Sequence, residues 1–192
     1  MNALHRWYCR SDHWRGATHD AMLPWALSGI ELGDAILEVG PGPGVTTDWL
    51  RQRTLSLECL EKDLSLADAL KTRLAGTNVH VRCGDATAMP YEDRRFSSVV
   101  SFTMLHHIPA VALQDRLFCE ALRVLKPGGI FAGVDSLPSL LMRVFHVGDT
   151  MVPVDPGRLP ERLQFAGFTG IQVESSAGRF RFSARRPAEF IG

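Results

Sequence analysis

Residues 36–44 read ILEVGPGPG: an apolar run carries Glu38 and opens into Gly40, Gly42 and Gly44, with a proline in each gap. Glycine removes the Cβ that keeps a ligand away from the backbone. A bare loop between a strand and a helix makes a ligand site at the carboxyl end of a parallel sheet. The dinucleotide fingerprint is G-x-G-x-x-G, but its third position here falls on Val45 and the spacing is G-x-G-x-G. A pyrophosphate is held by backbone N–H groups and a helix N-terminus, and Pro41 and Pro43 have no N–H to give. The loop therefore suits a ligand that needs close approach more than anion contacts, an adenosine compound without phosphates in preference to NAD. Glu38 ends a buried strand, where a carboxylate is costly unless paired. A cationic ligand group, or hydrogen bonds from loop amides, would satisfy it.

Two further acidic positions follow in order. The apolar run LECL ends at Glu61, and an acidic side chain at the end of a second strand accepts both hydroxyls of a ribose. Asp63 competes for that role, and Lys62 can lay its stem on the adenine face. After a third strand, CGDATAMP places Asp85 to accept from an exocyclic adenine amine while the Ala86 N–H meets a ring nitrogen. His106 and His107, just past a fourth strand, are candidate general bases. His146 and Asp149, in FHVGD, are candidate substrate contacts in the connection after the fifth strand. Their spacing matches no ligand set for a metal, and none is expected.

The elements that must position these residues alternate. AILEVG (35–40), LSLECLE (55–61), VHVRCGD (79–85), FSSVVSFTML (96–105) and IFAGVD (130–135) read as strands. Helical spacing falls at 45–54, with Trp49 and Leu50 on the buried face, at 65–76 up to Gly76, and at 111–125, which KPGG terminates. Strand–helix repetition with nearly continuous apolar strands predicts a parallel sheet covered on both faces. One more helix is expected at 159–168, then an antiparallel pair from 170–176 and 179–186. Residues 1–34 hold Trp7, Trp14 and Trp25 and read as helices over one end of the sheet, either a lid over the cofactor or a packing layer. The pair Asp12 and His13 beside Arg10 lies in that segment.

In order, these motifs resemble the class I S-adenosylmethionine-dependent methyltransferases. ILEVGPGPG resembles the family's first motif, LECLEKDLSLADAL its ribose-binding strand, and CGDATAMP its adenine motif. FSSVVSFTMLHHI resembles its fourth strand and exit, LRVLKPGGIFAGVD its following helix–turn–strand, and LPERLQFAGF its late helix. The resemblance runs over about residues 35–185. It implies an α/β, Rossmann-like seven-stranded, mostly parallel sheet in the order 3-2-1-4-5-7-6, with helices on both faces and an N-terminal helical lid. It assigns Glu38, Gly40, Gly42 and Gly44 to the methionine end of S-adenosyl-L-methionine, Glu61 to the ribose, and Asp85 with Ala86 to the adenine. Ser101 and Phe102 would lie near the methionine or the sulfonium, and S-adenosyl-L-homocysteine would be the product. Ser97 stands where the family often has Asp, a position that is structural more than chemical.

The chain of 192 residues is read as one domain: a lid (1–34), a cofactor-binding core (35–135) and a substrate-side connection with a closing hairpin (136–192). Lys+Arg and Asp+Glu both total 21, which argues against the basic surface of a nucleic-acid binder. No Asn-Pro-Pro-aromatic run follows the fourth strand, where TMLHHI stands. The expected reaction is in-line methyl transfer to a small-molecule acceptor. A nicotinamide-dependent oxidoreductase and a non-catalytic cofactor-binding protein are the alternatives. The four cysteines, Cys9, Cys59, Cys83 and Cys119, form no C-x-x-C pair and read as reduced thiols in or near a core. No secretory leader or membrane span is apparent, and a cytoplasmic protein is expected.

Overall fold

The apolar block at 96–102 forms the middle strand of a seven-stranded sheet in the order β3-β2-β1-β4-β5-β7-β6. The computed structural model describes residues 11–139 and 150–189. The strands are β1 (Ala35–Val39), β2 (Ser56–Glu61), β3 (Val79–Cys83), β4 (Phe96–Phe102), β5 (Leu125–Ser136), β6 (Thr169–Ser176) and β7 (Arg179–Arg185). The first five are mutually parallel, and β7 runs antiparallel to both of its neighbours. The expected sheet order and closing pair are thus present.

Side chains on a strand alternate between the two faces of the sheet, and that alternation decides which helices each strand meets. Leu37 and Val39 pack with α5 (Val111–Val124) and α6 (Leu159–Phe165). Ile36 packs on the other face with α3 (Val45–Leu50), α4 (Leu64–Arg73) and the N-terminal helices. These comprise α1 (Asp12–Ala17), a π-helical turn (Thr18–Met22) and α2 (Leu23–Ala26). On α5, Gln114, Leu117, Phe118, Ala121 and Val124 are buried at helical spacing. Phe131 of β5 gathers Phe118, Phe168 and Phe182 around it at ring distances of 6.0, 5.8 and 4.9 Å.

Element ends differ from the sequence reading for identifiable reasons. Helix α3 stops at Leu50, short of the expected 54, because the Asn78 amide donates to the carbonyls of Arg51 (2.9 Å) and Thr54 (2.8 Å). Trp49 is half-buried, not fully, with the Arg53 guanidinium 3.6 Å over its ring. Strand β5 begins at Leu125, inside the segment read as helix and stop: Leu125 pairs with Phe96, KPGG bulges out, and the ladder resumes at Ile130 opposite Ser98. Gly129 fits this bulge because a Cβ there would lie 2.8 Å from the Lys126 carbonyl and 3.0 Å from that of Ser97. Cys59 is buried as expected, but Cys83 and Cys119 are exposed, and all three are free thiols. Among the described residues, no helix is long and apolar enough to cross a membrane.

Ser97 ties the chain entering β1 to the sheet. Its Oγ accepts the Ala35 N–H (3.1 Å) and can donate to the carbonyl of Leu32 (2.7 Å) or Ala35 (2.8 Å). Ser97→Ala should lower stability by about 1–2 kcal/mol, the scale of the lost bonds, without changing ligand affinity. Urea unfolding checks the first expectation and calorimetric titration the second.

Candidate functional site

Where parallel strands end, the chain turns away and leaves a crevice. Here the ends of β1, β2 and β4 open into a cavity of about 370 Å³, walled by the glycine loop, the 84–86 turn, the turn after β4 and Trp14 of α1. That volume lies within the range of small-molecule sites. Gly40, Gly42, Glu61, Lys62, Asp85, Ala86, Phe102 and His107 line it. Glu38, Gly44, Ser101 and His106 are absent from the lining. His146, Asp149, Trp7 and Arg10 lie outside the described residues.

The loop turns through three left-handed glycines, with φ of +68° at Gly40, +54° at Gly42 and +86° at Gly44. Its N–H groups are all committed within the protein. Gly40 donates to the Leu60 carbonyl (2.9 Å), Gly42 to Glu61 Oε2 (3.0 Å) and Gly44 to the Pro41 carbonyl (2.9 Å). The two prolines have none. Residues 40–44 therefore offer no N–H to a phosphate, which fits a phosphate-free nucleoside and disfavours a pyrophosphate. A Cβ at Gly40 would collide with the Met104 side chain, which stands across the loop on the cavity wall.

Glu61 is 8 % exposed. Besides the Gly42 bond on Oε2, its Oε1 accepts the Asp63 N–H at 2.9 Å. A carboxylate has about four acceptor positions, so each oxygen keeps capacity for one more donor. The rival acid Asp63 caps α4, with Oδ1 accepting the N–H groups of Ser65 (2.9 Å) and Leu66 (3.2 Å). Lys62 sits on the rim, its ammonium 2.8 Å from Asp85 Oδ2. Asp85 Oδ1 accepts both the N–H and the hydroxyl of Thr87 at 2.8 Å. Burial raises the Asp85 pKa, but the bonds from Lys62 and Thr87 outweigh it and hold the group at about 2. The neighbouring Ala86 N–H donates to no described group.

Glu38 lies under the loop at 1 % exposure. Strand alternation turns it toward α3, away from the cavity. Hydroxyls answer it there, in place of the loop amides or ligand cation of the sequence reading. Thr46 donates to Oε1, Thr47 to Oε2 at 2.6 Å, and the Cys59 thiol to Oε2 at 3.6 Å. Burial lifts its carboxyl above the ordinary value, against the pull of those bonds. Ser101 is fully buried beside Val39, its neighbour in the β1–β4 register.

The two histidines part company. His106 is buried, its Nδ1 2.5 Å from Asp135 Oδ1 and its N–H 3.1 Å from Oδ2, whereas His107 reaches the cavity with its ring 4.3 Å from that of His106. The His106 carbonyl accepts the Val152 N–H (2.8 Å), and the buried Gln114 amide donates to the Val152 carbonyl (2.9 Å). This polar chain seats the segment that carries Thr150, another lining residue. Sequence reasoning missed Thr46, Thr47, Met104, Gln114 and Asp135. The paired threonines in VTTDW, in the first turn of the helix that follows the glycine loop and eight and nine residues past the buried acid, were the available signal for the first two. Thr103, also in the lining, holds φ +51°, a strained value for a β-branched residue. Among the described residues, no three His, Cys, Asp or Glu side chains stand together as metal ligands.

Residues 37–133 match the family described as the methyltransferase domain. The chain is 31% identical over 121 residues to a sterol 24-C-methyltransferase of Schizosaccharomyces pombe, covering 60% of this chain and 31% of that protein. It is 31% identical over 96 residues to a protein-L-isoaspartate O-methyltransferase of Rhodopseudomonas palustris, covering 48% and 44%. Among solved structures, a phosphoethanolamine N-methyltransferase 2 of Haemonchus contortus, in complex with S-adenosyl-L-methionine, superposes with a TM-score of 0.75 at 15% identity. The match covers 97% of this chain and 60% of that one. The chain spans from 22% to 56% of the length of the curated relatives it matches.

The state of Glu38 has a measurable consequence. A carboxyl raised by folding takes a proton more readily in the native than in the unfolded protein. Its favourable contribution is complete below the ordinary value of 4.5 and is lost as pH rises through the folded value. The stability gap between Glu38→Gln and the parent should therefore move in the variant's favour as pH rises above 4.5, then level off. Urea unfolding of both proteins across that range measures it, and a flat gap would mean that the carboxyl is not raised.

Proposed function

This chain belongs to the methyltransferase-domain family of class I S-adenosylmethionine-dependent proteins, and we propose that it is an enzyme that transfers the methyl group of S-adenosyl-L-methionine to a small-molecule acceptor. The observation that carries the reading is a cavity with an acid at each of two neighbouring strand ends, beside a glycine loop with no N–H left for phosphate. When bound, the cofactor supplies a methyl carbon already activated by a sulfonium, so the protein's task is binding, orientation and exclusion of water.

Glu61 receives the two ribose hydroxyls on its remaining lone pairs. Asp85 Oδ2 and the unengaged Ala86 N–H take the adenine edge, with Lys62 giving up part of its ion pair to admit the ring. Gly40 and Gly42 let the amino-acid tail lie against the loop. Glu38, Gly44 and Ser101 act from behind, shaping the loop and β4 instead of touching the ligand. Phe102 and Met104 flank the sulfonium side. His107 is the group placed to accept a proton from an acceptor that must lose one; His106 orients it.

The acceptor side supports a small molecule. The charged lining residues Glu61, Lys62, Asp63 and Asp85 stand at or just past the ends of β2 and β3, while Phe102, Met104 and Ile108 line the cavity from the end of β4 and the turn that follows it. The balanced net charge of the chain lends nothing to a nucleic-acid acceptor.

Calorimetric titration with S-adenosyl-L-homocysteine and with NAD tests the assignment. The first should bind and the second should not; the reverse would overturn it in favour of an oxidoreductase. Glu61→Gln should weaken S-adenosyl-L-homocysteine by about 1–3 kcal/mol, the scale of charge-assisted hydrogen bonds. Asp63→Asn, which keeps an oxygen to cap α4 and leaves the backbone N–H on Glu61 in place, should leave that affinity nearly unchanged.

A further inference from the structure

Gly44 has the left-handed backbone of the other loop glycines, yet it does not face the cavity. A Cβ at this position would run into Leu70 and come within 2.5 Å of an Arg73 guanidinium nitrogen. The third glycine of the motif is thus a slot for a side chain of α4. Arg73 fills it and uses both of its terminal nitrogens. Nη1 holds both oxygens of Asp48, at 2.8 and 3.0 Å, and Nη2 lies 3.3 Å from the Pro43 carbonyl and 3.3 Å from the Gly44 carbonyl.

We infer that Arg73 is a positioning residue for the cofactor loop, holding its carbonyls from outside while Glu61 holds its Gly42 N–H from within. The loop cannot do this for itself. Two of its five residues lack an N–H, and its internal bond, from Gly44 to Pro41, closes only one turn. The rigid fork of a guanidinium can bridge a carboxylate and two carbonyls, which a lysine ammonium on a flexible stem cannot hold in one geometry. Asp48, on the helix that leaves the loop, orients the fork. The same carboxylate accepts a hydrogen bond from Arg15 of α1 at 3.3 Å, and the Arg51 guanidinium lies beside it at 3.4 Å. Helix α1, the loop and α4 therefore meet at a single acid. Arg73 touches no ligand in this account; it acts through the loop.

The inference rests on the proposed function only for the choice of ligand. Arg73→Leu keeps the packing against Gly44 and removes the donors. Calorimetric titration with S-adenosyl-L-homocysteine, well below the unfolding midpoint of each variant, should show a dissociation constant raised on the order of tenfold. Arg73→Lys should recover part of the loss. Arg73→Met, which keeps an unbranched stem in the slot and removes the donors, should weaken binding as well and serves if Arg73→Leu does not fold. Without ligand, amide exchange at Gly42 and Gly44 should quicken in both Arg73→Leu and Arg73→Met. A merely structural role would lower the unfolding midpoint and leave affinity and loop exchange where they were. A folded Arg73→Leu with an affinity within about twofold of the parent and unchanged exchange overturns the inference. Should the parent itself not bind S-adenosyl-L-homocysteine, the proposed function falls, and the exchange measurement still decides the part played by Arg73.

Discussion

The Gly42 N–H donates to the Glu61 carboxylate across the ends of two neighbouring strands, and the site depends on that bond. It ties the glycine loop of β1 to the acid of β2 at 3.0 Å. One carboxylate thereby shapes the loop and presents its remaining lone pairs to the cavity. The register that puts Val39 beside Leu60 leaves Glu61 one residue beyond the pair, level with the loop. A slip of β2 by one residue would turn the acid to the opposite face of the sheet.

Buried polar groups elsewhere serve the same end. Glu38 and Asp135 both stand at or near the ends of central strands, and each is answered within the protein, by threonine hydroxyls in one case and by His106 in the other. A buried carboxylate is tolerated only with such partners. Glu38 therefore draws the first turn of α3 against β1, which sets where the loop must close. Asp135 draws the turn after β4 against β5, which sets where His107 emerges. The two ends of the cavity are fixed by acids that do not line it.

The strands and the acids at their ends were legible in the sequence because both are local, whereas the order of the strands in the sheet followed only from the resemblance to the family. Apolar blocks mark strands, and LECL ending at Glu61 marks where a side chain leaves the core. What faces a side chain was not local. Gly44 reads like Gly40 and Gly42, and only the packing of Leu70 and Arg73 shows that its space belongs to a helix. His106 and His107 are adjacent and chemically alike, yet a partner at Asp135 takes one inward. The start of β5 was hidden because helical spacing continued through Leu125, and pairing with Phe96 overrode it. Glu38 was identified as a buried acid in need of partners, but the sequence did not show that they are hydroxyls on α3.

If Glu61 serves the loop and the ligand at once, a crystal structure with S-adenosyl-L-homocysteine will show both ribose hydroxyls within hydrogen-bond distance of the Glu61 oxygens while the Gly42 N–H stays on Oε2, with the purine against Asp85 and Ala86. A ribose bound elsewhere, or a Glu61 that abandons Gly42 to reach it, would mean that one carboxylate does not do both.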